Sequence, residues 1–458
     1  MKNIIGYFLG LIIVSTLLFS TACKKDSIFV SGDFSFSVDT VLFDTVFTTI
    51  GSATRNFKVY NGNNSPIKFD EIRLMGGTNS AFRLNFDGVP GVLHKDIEMD
   101  RKDSLFGFID VTLNVNDGNY PMVYMDSIRF TQGNKVKYLY LAVWGQDVYI
   151  HNQDISEGVW PNDKPHLVYG YTAVDSAKTL TLLPGTRIHF HKNAAFIVYK
   201  GTLDIQGTLG NEVTFQGDRL ESFYSDIPGQ WYGLRFIEAK PSTIEYAVIK
   251  NGQVGVQIDS TGTSSPNYTV EIKNTKILNN SFFGVYPVAG ARLKMENTVV
   301  NNAGLASAYL FAGGAYNFTN CTFANYNAPG RNTPLFVLQN YFQSGNTIFV
   351  RALDEAFFTN CVFYGTLSNE FNIDLKEHPF MNYTFDHCLI KSDEVITESQ
   401  FNNCIWNEDP KFVNTEENNF KFTIPSPLNN LGNFGTATPS DIEGNPRTGP
   451  DIGAYEVD

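Results

Sequence analysis

The chain reads as an all-β protein: an antiparallel β-sandwich followed by a right-handed parallel β-helix, a solenoid of stacked coils. Two observations lead there. Asn-Thr or Asn-Cys recurs ahead of a short apolar strand at Asn274-Thr275, Asn297-Thr298, Asn320-Cys321, Asn360-Cys361 and Asn403-Cys404, with His387-Cys388 as a variant. The first intervals, 297 − 274 = 23 and 320 − 297 = 23 residues, suit one coil of three short strands and three turns. Ahead of this repeat, Phe34 to Trp144 holds about seven alternating runs separated by turn signals, the pattern of a sandwich.

The elements follow in chain order. Lys2 precedes an apolar run from Ile4 to Phe19, which ends in Ser20-Thr21-Ala22 and then Cys23. That order of charge, short apolar stretch and small residues is an export signal, and the run is short for a membrane span. Cys23 directly after Ala22 resembles the lipobox of bacterial lipoproteins. The resemblance implies a signal segment over 1–23, lipidation at Cys23 and attachment to the membrane through the lipid. Lys24, where an inner-membrane retention signal would place Asp, implies the outer membrane. A secreted protein cut near Ala22 is the alternative.

Residues 24–32 read as a tether and 33–147 as the sandwich. NFKVYN and IKFDEIRL flank a turn over 62–66, and later runs break at Asp117-Gly118-Asn119 and Gln132-Gly133-Asn134. Val136, Tyr138, Tyr140 and Val143 are expected on one buried face. FDTVFTTIGSATRNFKVYN and LYLAVWGQD resemble the immunoglobulin-like modules of the ASH/MSP type, which implies a spacer or a platform for an envelope protein.

After a polar joint over 148–165, residues 166–407 carry the repeat. Asn suits the corner between strands because it tolerates the left-handed conformation, and stacked amides can bond from coil to coil. Cys is small and buries well beside such a corner. Cys321, Cys361, Cys388 and Cys404 are therefore expected as stacked free thiols, with one or two disulfides as the alternative in an exported chain. Leu203, Ile205, Leu293, Met295, Val254, Val256 and Ile258 are expected inside, and Asp204, Gln257, Arg292 and Lys294 in water. The interval 360 − 320 = 40 predicts an inserted loop between Ala324 and Glu355. The interval 403 − 387 = 16 is short for a coil and predicts an irregular end.

Residues 408–458 close the chain. Pro425, Pro427, Pro439, Pro446 and Pro450 exclude regular strand there. The string DIGAYE resembles the closing segment of bacterial right-handed β-helix repeat proteins, and a solenoid needs its open end covered. A capping role for 408–458 is the expectation.

Composition bounds the partners. A net charge of -13 over 458 residues argues against nucleic acid and against anionic lipid surfaces. With 18% charged and 14% aromatic residues, the chain suits a β-rich envelope protein.

Three groups are candidates for chemistry. Asp374, Glu377, His378 and Lys391, with Asp386 and His387 nearby, lie in 370–391. A polysaccharide lyase or glycoside hydrolase would use such carboxylates for acid–base work or Ca²⁺, and a basic residue for proton abstraction. Solvated turns are the preferred reading there. His189 and His191 share a strand face and are expected in water. No metal set and no cofactor is expected, Ca²⁺ entering only under the lyase reading.

The aromatic group comprises Trp231 and Tyr232, with Phe223 and Tyr224, and Phe336, Tyr341 and Phe342 of the insertion, as platforms for sugar rings. Trp231 reads first as a packing residue, with Gly229 and Gly233 supplying bends. Arg331 and Arg351 flank the insertion and suit uronate carboxylates or plain surface charge. The expected function is an outer-membrane or surface lipoprotein whose β-helix binds an extended ligand, polysaccharide foremost, without catalysis. A lyase or hydrolase acting through 370–391, or a protein scaffold acting through the sandwich, are the alternatives.

Overall fold

The computed structural model describes residues 29–115, 122–259 and 267–457. Residues 1–23, the expected export signal with Cys23, lie outside them. Contacts divide the chain into two compact units, one ending at Gly145 and the other running on from Gln146.

The first unit is a sandwich of two antiparallel sheets. One sheet has the order Ser35–Phe36, Arg55–Tyr60, Ser104–Val111, Phe82–Phe86, Val89–Pro90. The other has Thr40–Phe47, Lys135–Gln146, Met122–Gln132, Ile67–Leu74, Leu93–Met99. Phe130 sits at the centre of the core, with the rings of Phe34, Phe36, Phe57, Phe69 and Phe86 between 4.9 and 6.3 Å away. One expectation fails here. Leu139, Leu141 and Val143 are buried, whereas Val136, Tyr138 and Tyr140 are 48%, 42% and 51% exposed. The strand is apolar on both faces, so alternation alone does not say which face is covered.

The second unit is a right-handed parallel β-helix with three rows of strands. One coil shows the plan: Ala291–Glu296 in row one, Val299–Ala303 in row two, Ala306–Phe311 in row three, then Gly314–Thr319 in row one again. Each strand pairs in parallel with its counterpart one coil on, as Leu293 with Tyr316 and Val300 with Phe323. The side chains turned inward form one continuous apolar core.

Backbone conformation explains the Asn repeat. Asn274, Asn297, Asn320, Asn360, His387 and Asn403 all adopt positive φ, between 45° and 53°, at the corner between rows one and two. Asn accepts this region more readily than most residues. The expected amide ladder forms where Asn297 Nδ2 donates to Asn274 Oδ1 at 3.1 Å. A second ladder, at the corner between rows two and three, joins Asn302 Nδ2 to Asn279 Oδ1 at 3.2 Å. The residue after each first-corner Asn or His turns inward and donates to the carbonyl two residues back. Thr275 does so to Lys273, Thr298 to Glu296, Cys361 to Thr359 and Cys388 to Asp386. All four cysteines described are free thiols.

The strands account for both irregular intervals. The insertion contains a row-three strand, Phe336–Gln339, followed by a hairpin of Tyr341–Ser344 and Thr347–Val350. The 16-residue interval is the irregular end expected: Phe385 pairs with Phe401 and Leu389 with Ile405, but the row-three strand is missing. Two residues expected in water are covered instead. Arg292 Nε donates to the Asn267 carbonyl at 2.8 Å beneath Asp354 and Glu355, and Gln257 is held by Tyr232 and Asp259.

The C-terminal segment lies along the flank of the coils, in contrast to the expected end cap. Phe420, Ile442, Ala454 and Tyr455 pack on Val299 and Ala324, while Phe422, Leu428 and Ile452 pack on Val362 and Leu389. The corner Asn amides anchor it. Asn320 Nδ2 donates to the Asp451 and Gly453 carbonyls, and Asn360 Oδ1 accepts from the Asn433 N–H at 2.7 Å. Within the DIGAYE string, Asp451 accepts from the backbone of Asn430 and Val457, and Glu456 takes both the Asp451 N–H and the buried Arg447. These carboxylates hold the segment's own loops together.

Candidate functional site

The three rows present three unlike flanks. Row one carries a ladder of opposite charges, with Lys273 and Lys294 both near Glu296 at 3.7 and 2.8 Å. Pairs of this kind are typical of a solvated sheet face. Over its C-terminal coils, row two is covered by residues 412–455. Row three is different.

Outward positions of row three align from coil to coil. Arg235 pairs with Gln257, and Gln257 with Tyr286. The column continues through Tyr309, the outward neighbour in the next coil, to Val337. Beside it runs a second column, Asp259, Val288, Phe311, Gln339 and Asp374. In Phe283–Val288 both Gly284 and Val285 are buried, so Phe283 and Tyr286 emerge on the same side. Their rings stack at 4.5 Å and 19°. Tyr309 lies 5.8 Å from Tyr286 and 5.7 Å from Phe311. Two successive coils therefore carry a floor of four half-buried aromatic rings.

Polar groups border this floor along the helix axis on both sides. Towards the N-terminus, the Tyr232 hydroxyl donates to Gln257 Oε1 at 3.1 Å and Gln257 Nε2 donates to Asp259 at 2.6 Å. Arg235 Nε donates to the same Asp259 carboxylate at 2.5 Å. Towards the C-terminus, the Tyr309 hydroxyl donates to Gln339 Oε1 at 2.8 Å, and the Tyr341 hydroxyl to Asp374 at 2.5 Å. Lys376 stands 3.8 Å from Asp374 and 5.0 Å from the Tyr341 ring centre. Burial pushes the phenols of Tyr286 and Tyr309 up from their ordinary value, and the Asp374 hydrogen bond does the same for Tyr341. All three are neutral hydroxyls near pH 7.

Of the aromatic and arginine residues singled out in sequence, Tyr232 and Tyr341 belong to this face. Arg351 lies nearby with its guanidinium 5.6 Å from the Phe342 ring. Trp231 keeps the packing role read first for it, and Phe336 and Arg331 are corrected. Trp231 is fully buried, stacked on Phe190 at 4.0 Å with its indole N–H donating to the Lys250 carbonyl. Gly233, at φ 129°, lets the chain turn beside it, because a Cβ there would meet the Val254 carbonyl oxygen at 1.8 Å. Phe336 is core, stacked on Phe371 at 5.2 Å. Arg331 is buried in a two-bond pair with Glu370, each bond 2.6 Å, and has no surface to offer a ligand.

The residues of 370–391 are not gathered into one site. Asp374 faces Tyr341 on row three. Glu377 and His378 line an open depression of about 460 Å³ with Pro379 and Met381. Lys391 Nζ donates to the Gly365 carbonyl at 2.7 Å and lies over the Tyr364 ring. His189 is buried rather than solvated, and burial holds its imidazole down at about 4. Among the described residues, no group of three or more His, Cys, Asp or Glu is placed to hold a metal ion.

Sequence reasoning missed Phe283, Tyr286, Tyr309 and Phe311. The signal was present: 309 − 286 = 23, the same interval as the Asn repeat.

Comparison with known proteins supports the architecture. Residues 182–323 match the family described as "Right handed beta helix region". No curated protein matches the chain. Among solved structures, a partial likeness is found to a family 123 glycoside hydrolase from Clostridium perfringens, described for glycolipid glycan hydrolysis. It has 8% identity and a TM-score of 0.18, covering 27% of this chain and 30% of that one. A likeness at that level carries no argument about activity.

Proposed function

We propose that this protein is an envelope lipoprotein whose β-helix binds an extended polysaccharide along row three, without catalysing its cleavage. One observation carries the reading: Tyr286 and Tyr309 repeat at the coil interval, with Phe283 and Phe311 beside them and amide and hydroxyl groups on either side. Flat rings take the apolar face of a sugar, and bordering polar groups take its hydroxyls. Successive coils are spaced by about 4.8 Å, the separation of paired strands, so a linear chain lying along the axis would meet equivalent contacts again and again. Affinity is the sum of many weak contacts.

The test is binding of the full-length protein, in detergent, to a polysaccharide panel, compared with the Tyr286→Ala/Tyr309→Ala variant. Loss of binding in the variant with unchanged circular dichroism supports the reading; equal binding by both sinks it. Assay of the same mixtures for new reducing ends tests the lyase or hydrolase alternative. Lipid attachment rests on Ala22-Cys23 alone, and labelling with a fatty-acid analogue should mark the protein and not its Cys23→Ser variant.

A second reading has its own observation. The outer face of the sandwich exposes Leu42, Val123, Met125, Tyr138, Tyr140 and Trp144 on three adjacent strands. Apolar surface of that kind marks interaction sites. In this reading an envelope protein docks there, and Tyr140→Lys would abolish its capture while leaving polysaccharide binding intact.

A further inference from the structure

Resting on the polysaccharide reading above, we infer that the row-three face selects a neutral glycan and discriminates against uronate polymers.

The argument begins with charge. Five charged side chains stand on or near the aromatic floor: Arg235, Asp259, Asp374 and Lys376, with Arg351 beside the Phe342 ring. The first four pair with one another within the face. Arg235 is bonded to Asp259 at 2.5 Å, and Lys376 is 3.8 Å from Asp374. Their sum is zero. A uronate chain repeats its carboxylate along its length, so a face built for it needs cations that repeat with the coils and are free to pair. Here the central coils carry Tyr286, Val288, Tyr309 and Phe311 at the outward positions, and no cation at all.

Of the two arginines that sequence alone offered to a carboxylate, one is withdrawn. Arg331 is fully engaged by Glu370 in the interior. The polar groups left on the face are of the kind that hydroxyls use. Gln339 and the phenols of Tyr232 and Tyr309 supply both donors and acceptors. Asp259 and Asp374 add acceptors, which suit the hydroxyl groups of a neutral ring. An acidic chain laid over the floor would find Arg235 and Lys376 already engaged by Asp259 and Asp374. A protein of net charge -13 adds a field of the same sign.

The experiment is a matched pair of binding series on the full-length protein in detergent. Neutral polymers (a β-glucan, a mannan and an unsubstituted xylan) are compared with acidic ones (alginate and polygalacturonate) at 20 mM and 300 mM NaCl. The expected result is retention by at least one neutral polymer, little changed by salt, no retention by the acidic pair, and at least tenfold weaker retention for Tyr286→Ala/Tyr309→Ala. Retention by an acidic polymer that falls with salt and is lost in the same variant would overturn the neutral class while leaving the face as the site. Retention of any polymer that survives the double substitution would overturn the face itself, as would no retention by any of the five. A Val288→Lys variant supplies the missing central cation. It should gain salt-sensitive affinity for polygalacturonate, and failure to gain any would count against the charge argument.

Discussion

The Arg331 guanidinium and the Glu370 carboxylate meet in two hydrogen bonds of 2.6 Å with both side chains essentially out of water. Glu370 also accepts the backbone N–H groups of Leu335 and Leu367, so one carboxylate pins the entry to the inserted strand and the turn before Phe371–Asp374. Removing one partner leaves a buried charge uncompensated, which costs about 3–5 kcal/mol. Glu370→Ala should therefore lower the denaturant midpoint of the β-helix steeply. Arg331→Met combined with Glu370→Leu should be milder than Glu370→Ala alone. A double variant at least as unstable as the single one would show that the pair is not the reason.

The corner residue Asn320 separates two contributions that are usually mixed. Its φ of 52° is strained for Ala and natural for Gly, and its amide bonds to Asp451, Gly453 and Thr438 of the C-terminal segment. Asn320→Ala loses the amide and incurs the left-handed backbone penalty of about 1–2 kcal/mol. Asn320→Gly loses only the amide. Equilibrium unfolding should rank wild type above Gly and Gly above Ala, with the last gap of about 1 kcal/mol or more. Equal stability of the two variants would remove the backbone explanation.

Thr275, Thr298, Cys321, Cys361, Cys388 and Cys404 occupy one inward rung in successive coils, each donating to the carbonyl two residues back. The shared geometry predicts that Cys361→Thr folds normally, while Cys361→Val loses a buried hydrogen bond worth about 1 kcal/mol. Burial pushes the thiols of Cys361 and Cys388 well above their ordinary range. In the native protein a thiol-reactive disulfide dye should leave Cys321, Cys361 and Cys388 unlabelled, and all should react once the chain is unfolded. Rapid native labelling at two or more of them would contradict this packing.

What was legible in the sequence is what is decided locally. The left-handed corners announce themselves because Asn is tolerated there, and the rung beside them because only small residues fit. Tyr286 and Tyr309 were equally legible by interval, but no local rule says which way an aromatic on a strand points. The same ambiguity explains why Phe336 looked available and is core, and why Tyr138 and Tyr140 looked buried and are exposed. Arg331 could not be read as buried because its partner, Glu370, is 39 residues away. The C-terminal segment was harder still. Its anchors, Asn297, Asn320 and Asn360, precede it by 73 to 141 residues, so nothing near DIGAYE says that it lies along the coils.

Acid–base behaviour offers a test of that lateral packing. Burial of Asp451, partly opposed by the N–H groups of Asn430 and Val457, raises its carboxyl to about 6. In the unfolded chain an Asp titrates near ~3.9. Between these values the folded protein holds a proton that the unfolded chain has released, so this group's contribution to stability is fully present below about pH 4 and is lost as pH rises through about 6. The sign is opposite to that of Glu71 in the sandwich, whose hydrogen bonds from Arg73 and Arg129 hold it at about 2. Other carboxylates titrate over the same range, so the useful quantity is the difference between wild type and Asp451→Asn in unfolding midpoint. Relative to the variant, wild type should lose stability from pH 4 to pH 6 and change little from pH 7 to pH 8. A flat difference across pH 4–6 would mean that Asp451 is solvated and that the segment does not pack on the coils through it.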